Sequence, residues 1–414
     1  MITVMGLGFV GLTSAVGFAE KNIPVKGYDL NHKKVQLISS GEIPFHEEGL
    51  KEKLNSNLKK NNLLITDDLK KVFLDTSIVF ICVGTPSNDD GSANLNYIFS
   101  AIDTIIENKS ENFITIVIKS TIPPSTCSVE ISNYLKNKNI RLGDEIGLSN
   151  NPEFLREGYA WDDFINPDRI VIGVEDEKSK NLLSKVYSNF NCPLHIVNLN
   201  TGEFIKYLSN TTLSTFISYS NEMSIIADNI GGVDTKKSFQ VLKEDKRWSG
   251  DPANMSSYVL PGCGFGGYCL PKDTQALIKK SKEYNYNPKI LESVMDVNKE
   301  IKSHSLEKIL KQCNQNSTIG ILGLSFKPDS DDVRDTPAFP IIQGLLNKGF
   351  KKIYAYDPIS NDNFQAMYSS EVKINYLDSL EKILKKCDTL VQVTSWKEFK
   401  SIVVNPSQKY INLR

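Results

Sequence analysis

The stretch GCGFGGYCLPKD, residues 262–273, is a glycine-rich loop that delivers Cys269 to the start of a helical pattern whose first position is assigned to Pro271. A thiol beside a helix N-terminus has its thiolate stabilised by the helix dipole, and a thiolate can capture a carbonyl carbon. A lone cysteine is more often a small buried hydrophobe; here the flanking glycines and the polar Lys272 and Asp273 argue against burial. Cys263 lies in the same loop, further from the helix start, and is the weaker claimant. Asp273, in the first helical turn, also reads as an acid that merely complements the dipole. Lys206 and Asn210 are spaced i and i+4 in a helical stretch, so both leave one face; a solvated lysine beside a stray asparagine is the competing reading.

A second chemistry-bearing pattern opens the chain. Gly6, Gly8 and Gly11, with Phe9 and Val10 between them, follow a strand and precede a helical stretch, and Asp29 ends the next strand. In that setting the first glycine allows the turn, the second lets backbone approach a pyrophosphate, and the third lets helix and strand pack closely. Asp29 is placed to accept hydrogen bonds from ribose hydroxyls and to repel a 2′-phosphate, which selects NAD over NADP. Lys34 is placed either at the ribose edge or as a plain surface lysine. Two further strand ends, Val83-Gly84-Thr85 and Ser120-Thr121, point to the same crevice outside the carboxyl edge of the sheet.

These residues need a scaffold, and the patterning supplies one. Short Ile- and Val-rich runs (ITVMGLG, PVKGYD, IVFICVGTP, FITIVIKST, RIVIGV) alternate with helical stretches, which argues for a parallel sheet covered on both faces. The pattern returns near the C-terminus, where TIGILGLS leading to IYAYD echoes ITVMGLG leading to VKGYD without the full glycine set. Between the two, Thr201 to Asp228 reads as one long helix, with Thr201 as N-cap and Gly231-Gly232 as the stop. Its apolar face makes it a domain connector and a dimer contact. The expected architecture is α/β: two Rossmann-like doubly wound parallel-sheet domains, 1–196 and 301–414, joined by a central helical domain, 197–300.

The 414 residues carry 48 basic and 49 acidic side chains without any block of one sign, so neither nucleic acid nor an anionic membrane is an expected partner. Seven scattered cysteines, without zinc spacing, read as free thiols with no metal site, and the absence of a signal-like start or a long apolar run makes cytoplasm the expectation.

Seven motifs in order, GLGFVGL, VGTP, KSTIPPST, NPEFLREG, EFIKYLSN, GFGGYCLPKD and GLSFKPDSDDVRDTPA, make the whole chain resemble the UDP-glucose dehydrogenase family. The resemblance implies Cys269 as covalent nucleophile, Lys206 and Asn210 holding the oxygen at the reacting carbon, and Asp273, Thr121 and Glu153 around a catalytic water, with Glu153 the base for hydrolysis. For the UDP-sugar it implies Glu153, Phe154, Leu155, Arg156 and Glu157, then Tyr258, Leu260, Gly264, Phe265 and Gly266, and Lys327 in the C-terminal, UDP-binding domain. On the NAD side it adds Glu157, Cys269 and Arg334. Family members carry an arginine that crosses the dimer about sixteen residues before the nucleophile; that offset falls on Ala253 here, and Arg247 is the nearest substitute. Two hydride transfers through a cysteine adduct are implied, with two NADH per sugar. A UDP-N-acetylhexosamine dehydrogenase is the rival, disfavoured by Tyr268 and Lys272. A silent UDP-sugar binder would have lost a catalytic residue, and a simple hydroxyacid dehydrogenase would have no use for the Cys269 loop.

Overall fold

The computed structural model describes all residues except 245–260, 284 and 286, and all side chains but those and 222, 223, 225, 226 and 228–230. The chain divides into two compact units, Met1–Leu208 and Ser209–Arg414.

In the first unit the apolar runs become strands because each can be buried on both faces. β1 (Ile2–Met5), β2 (Val25–Tyr28), β4 (Ile78–Ile81), β5 (Ile114–Ile118), β6 (Ile146–Asn150) and β7 (Ile170–Val174) are buried at every residue, while β3 (Leu63–Ile65) and β8 (Leu194–Val197) close the edges with exposed positions. The order is β3-β2-β1-β4-β5-β6-β7-β8. From β3 to β6 all pairs are parallel; β7 then runs antiparallel to β6, with Ser149 opposite Val174 and Asn150 opposite Gly173, and β8 is parallel to β7. The sheet is therefore the expected parallel one with a reversed pair added. β3, β6 and β8 were not legible as strands: β3 has three residues, β6 ends in Ser149-Asn150, and β8 is a four-residue run with no buried position. On one face Phe18 packs against Phe80, Phe164, Tyr187 and Phe190, with ring centroids 5.0–6.4 Å apart.

The long helix spans Leu199–Ile230. Its cap is Asn198, not Thr201: the Asn198 Oδ1 accepts the Thr201 amide at 2.8 Å, and asparagine is as good an N-cap as any residue. It stops where expected, at Gly231 and Gly232, both at positive φ. The second unit continues from this helix through Thr235–Glu244, Cys269–Glu283 and Lys289–Leu310 to a five-stranded sheet of β9 (Ile319–Leu322), β10 (Ile353–Tyr356), β11 (Asn375–Tyr376), β12 (Thr389–Gln392) and β13 (Lys409–Asn412). Its order, β11-β10-β9-β12-β13, is all parallel and repeats the 3-2-1-4-5 arrangement that begins the first sheet. The echo read in the sequence is thus an echo of topology. Among the described residues no helix is long and apolar enough to cross a membrane.

Candidate active site

The glycine turn after β1 has the geometry a dinucleotide requires. Gly6 adopts φ +91°, and a Cβ on Gly11 would lie 1.8 Å from the Gly6 carbonyl oxygen, so a side chain there would force helix and strand apart. Around Gly8, the N-cap of the helix Phe9–Glu20, a Cβ would meet nothing within 4 Å; this is the open approach to the helix amides. Asp29, after β2, accepts the Leu7 amide at 2.8 Å and the Asn31 amide at 2.9 Å, while the Lys34 ammonium bonds it at 2.7 Å. Lys34 is therefore a partner of Asp29 rather than a solvated lysine. The hydroxyls of Thr85 and Ser120 are turned to backbone, donating to the Thr121 and Val83 carbonyls at 3.0 and 2.6 Å. They brace the two strand-end loops against each other, beside Gly84, where a Cβ would also meet open space.

Beyond β6 the NPEFLREG segment brings Glu153 to the long helix. The Lys206 ammonium lies 2.9 Å from Glu153 Oε1, with both side chains under a tenth exposed, and Glu153 Oε2 accepts the Leu155 amide at 2.6 Å. Burial pushes the Glu153 carboxyl up, but Lys206, the Leu155 amide and Lys119 outweigh it and hold the acid below its ordinary range. The Phe154 ring carries the Arg169 guanidinium at 4.1 Å and the Lys206 ammonium at 5.7 Å. Arg156 is exposed and paired with Asp163 through Nε and Nη2, at 3.0 and 2.6 Å.

In the second unit the helix that carries Cys269 begins at Cys269 itself, two residues earlier than expected. Pro271 is tolerated in its third position because the first four amides of a helix have no intrahelical acceptor. Cys269 is half-buried, whereas Cys263 is wholly buried, with burial pushing its thiol up and its Sγ 3.7 Å from the Val393 carbonyl; Cys263 is no nucleophile. One turn along from Cys269, Asp273 is fully buried and accepts from Asn210 Nδ2 and from Lys272 Nζ, each at 2.5 Å. Cys269 escapes full burial as expected, but Lys272 and Asp273, whose polarity argued for that, are themselves buried, and their pairing offsets the desolvation. Burial opposes the Lys272 charge, yet Asp273 more than compensates and holds its proton affinity above the ordinary range.

The glycine loop is fixed from two sides. Asn298 accepts the Phe265 amide at 2.8 Å and donates to the Phe265 carbonyl at 3.0 Å, and Gly264 turns at φ +100° beside it. A Cβ on Gly266 would lie 2.1 Å from the Asp335 carbonyl oxygen, and the Gly267 amide donates to the Arg334 carbonyl at 2.9 Å. Arg334 itself is chelated by Asp332 and stacks on the Tyr268 ring at 4.4 Å, with the Lys272 ammonium 5.2 Å from that ring. Lys327, half-buried, lies 5.5 Å from the Phe326 ring. Arg247, Tyr258 and Leu260 lie outside the described residues. Sequence reasoning missed Lys119, Lys272 as a partner of Asp273, and Asn298; KSTIPPST and CLPKD contain the two lysines, but nothing local marks either as buried.

Three models of the UDP-glucose/GDP-mannose dehydrogenase family match the chain: the NAD binding domain over residues 1–191, the central domain over 200–300 and the UDP binding domain over 320–412. The chain is 38% identical over 407 residues to the UDP-glucose 6-dehydrogenase of Rickettsia bellii, covering 97% of this chain and 90% of that one. It is 34% identical over 401 residues to UDP-glucose 6-dehydrogenase YwqF of Bacillus subtilis, covering 96% and 88%. Among solved structures, a UDP-glucose dehydrogenase from Pyrobaculum islandicum superposes with a TM-score of 0.90 at 32% identity, covering 100% of this chain and 94% of that one. A UDP-D-ManNAc dehydrogenase from Pyrococcus horikoshii gives 0.85 at 25%, covering 100% and 99%.

Proposed function

The chain belongs to the UDP-glucose/GDP-mannose dehydrogenase family and is an NAD-dependent oxidoreductase, and from that premise we propose that it oxidises UDP-glucose to UDP-glucuronate in two hydride transfers through a Cys269 adduct. The observation that carries this reading is the Asn210–Asp273 hydrogen bond, which pairs an amide donor with a buried carboxylate one helical turn from the half-buried Cys269.

Bound nicotinamide accepts the hydride in each of the two oxidations. The chain's residues do the rest. Lys206 and Asn210, one turn apart on a single helix, donate to the oxygen on the reacting carbon as negative charge develops there. A water held by Asp273, with Thr121, takes the alcohol proton. Cys269 adds to the aldehyde, which keeps it from escaping, and the adduct loses its second hydride to become a thioester. Water then cleaves the thioester with Glu153 as base, regenerating the thiol. Phe154, Leu155, Glu157, Phe265, Gly266 and Lys327 are assigned to the UDP-sugar, and Glu157 and Arg334 to the cofactor. The long helix exposes Phe204, Leu208 and Tyr219, a stripe suited to the same helix of a second copy, so the working form is a homodimer, in the cytoplasm.

The test is a titration with limiting UDP-glucose and excess NAD, in wild type and Cys269→Ser. Two NADH per sugar in the wild type, falling to a trace in the variant, support the reading. Two NADH from a UDP-N-acetylhexosamine and none from UDP-glucose keep the mechanism and replace the substrate. One NADH per sugar overturns the mechanism.

A further inference from the structure

Lys119, the residue after β5, is buried without a carboxylate in hydrogen-bond contact among the described residues. Its ammonium donates to the Asn151 side-chain carbonyl at 2.8 Å and to the Asn151 backbone carbonyl at 3.4 Å. The same Asn151 Oδ1 accepts the Tyr187 hydroxyl at 2.5 Å, and the Asn151 amide nitrogen donates to the Val171 carbonyl at 2.8 Å, so the asparagine cannot turn away. A buried lysine on a neutral partner is costly, which makes it a group to be explained.

We propose that Lys119 is a positioning residue whose ammonium, anchored on Asn151, supplies Glu153 with a second positive charge besides Lys206. The proposal rests on the role assigned above to Glu153. Among the described residues, the groups around the lysine leave Glu153 as its one anionic neighbour. β4 leads into Cys82, whose thiol burial pushes up to about 12, and the helix Glu177–Tyr187 contributes Tyr187, whose hydroxyl burial pushes well above its usual range; both are neutral at working pH. The long helix contributes Lys206, which repels Lys119, and the NPEFLREG segment contributes Glu153, which attracts it. Lys119 thereby adds to Lys206 in keeping Glu153 ionised, as a base must be. Burial brings Lys119 down to about 8, so this charge is present at neutral pH and fades above it.

The experiment compares the pH dependence of kcat in wild type, Lys119→Met, Lys119→Arg and Tyr187→Phe, with thermal unfolding of each. Removing a nearby cation raises a carboxyl's pKa, so the acid limb of Lys119→Met is expected to move to higher pH by about 0.5 unit or more, and Lys119→Arg to move it back. Tyr187→Phe removes a hydrogen bond from Asn151 but no charge; it is expected to lower stability and leave the limb in place. An unmoved limb in a folded Lys119→Met overturns the proposal. Should Lys119→Met not fold, carbon-13 NMR of the glutamate carboxyls in the wild type decides, with Glu153→Gln giving the assignment: the Glu153 signal is expected to respond as Lys119 titrates between about pH 7 and 10, and a featureless signal overturns the proposal. That titration needs no turnover, so a wild type inactive on UDP-glucose defeats the proposed function without deciding this inference.

Discussion

Asp29 and Asp357 end equivalent strands of the two sheets, each accepting the amide of an equivalent leucine, Leu7 at 2.8 Å and Leu324 at 2.7 Å, yet they are fitted for different work. Asp29 is met by two backbone amides and by Lys34. Asp357 is sealed: its Oδ2 also accepts the Ser325 amide and hydroxyl and the Trp396 indole, and its Oδ1 accepts the Ile359 and Ser360 amides. Asp29→Asn is expected to weaken NAD binding about tenfold or more, since it removes a charge-assisted acceptor. Asp357→Asn is expected to cost about 1–3 kcal/mol of stability with NAD affinity unchanged. Calorimetric titration with NAD and urea unfolding of both variants check the contrast.

The glycine turn separates folding from binding at neighbouring positions. Gly8→Ala is expected to fold normally, because a Cβ there meets nothing within 4 Å, but to bind NAD more weakly because the methyl occupies the approach to the helix amides. Gly11→Ala, whose Cβ would sit 1.8 Å from the Gly6 carbonyl oxygen, is expected to lose several kcal/mol or fail to fold. Melting temperatures with and without NAD distinguish the two.

Asn210→Ala removes a donor to Asp273 and, on the proposed mechanism, a donor to the reacting oxygen. Such a loss is expected to lower kcat by about 10²–10³ with a smaller effect on KM. Equal losses in binding and turnover would instead point to a purely structural role for the Asn210–Asp273 pair.

Glu203, in the first turns of the long helix, gives a stability signature that involves no chemistry. Its Oε1 accepts the Cys127 amide at 2.7 Å while Oε2 is buried without a partner, and burial raises the acid from 4.5 to about 7. Below about pH 4.5 it is protonated in both folded and unfolded chains and costs nothing. Between there and about 7 the unfolded chain releases the proton first, so stability falls as pH rises, and above 7 the cost is complete. Glu203→Gln keeps the Oε1 acceptor and is expected to stabilise the protein at pH 8 by on the order of 1 kcal/mol, flattening the slope between those limits. Unfolding midpoints measured across that range decide it.

Phe204 and Leu208, at 47% and 52% exposure, face outward one helical turn apart. If the long helix pairs with a second copy, replacing both by glutamate is expected to turn a dimer into a monomer in sedimentation; an unchanged mass would place the interface elsewhere.

Much of this was legible in the sequence because it depends on local chemistry. Gly6, Gly8 and Gly11 specify a turn by what they lack, Asp29 by its place at a strand end, and Gly231-Gly232 a helix stop by their freedom at positive φ. The alternating apolar runs likewise specify β1, β2, β4, β5 and β7, and the echo of GLG and YD in the second unit carries its strand order. What tertiary structure alone decided is which polar groups are buried and whom they meet. KST does not say that Lys119 stands on Asn151, nor PKD that Lys272 and Asp273 are withdrawn from water together, nor LREG that Arg156 turns to Asp163. The reversal at β7 and the sealing of Asp357 by Trp396 are of the same kind. Burial and pairing depend on residues distant in the chain, and a charge's behaviour is set by the solvent it loses and the partners it gains only once the chain has closed around it.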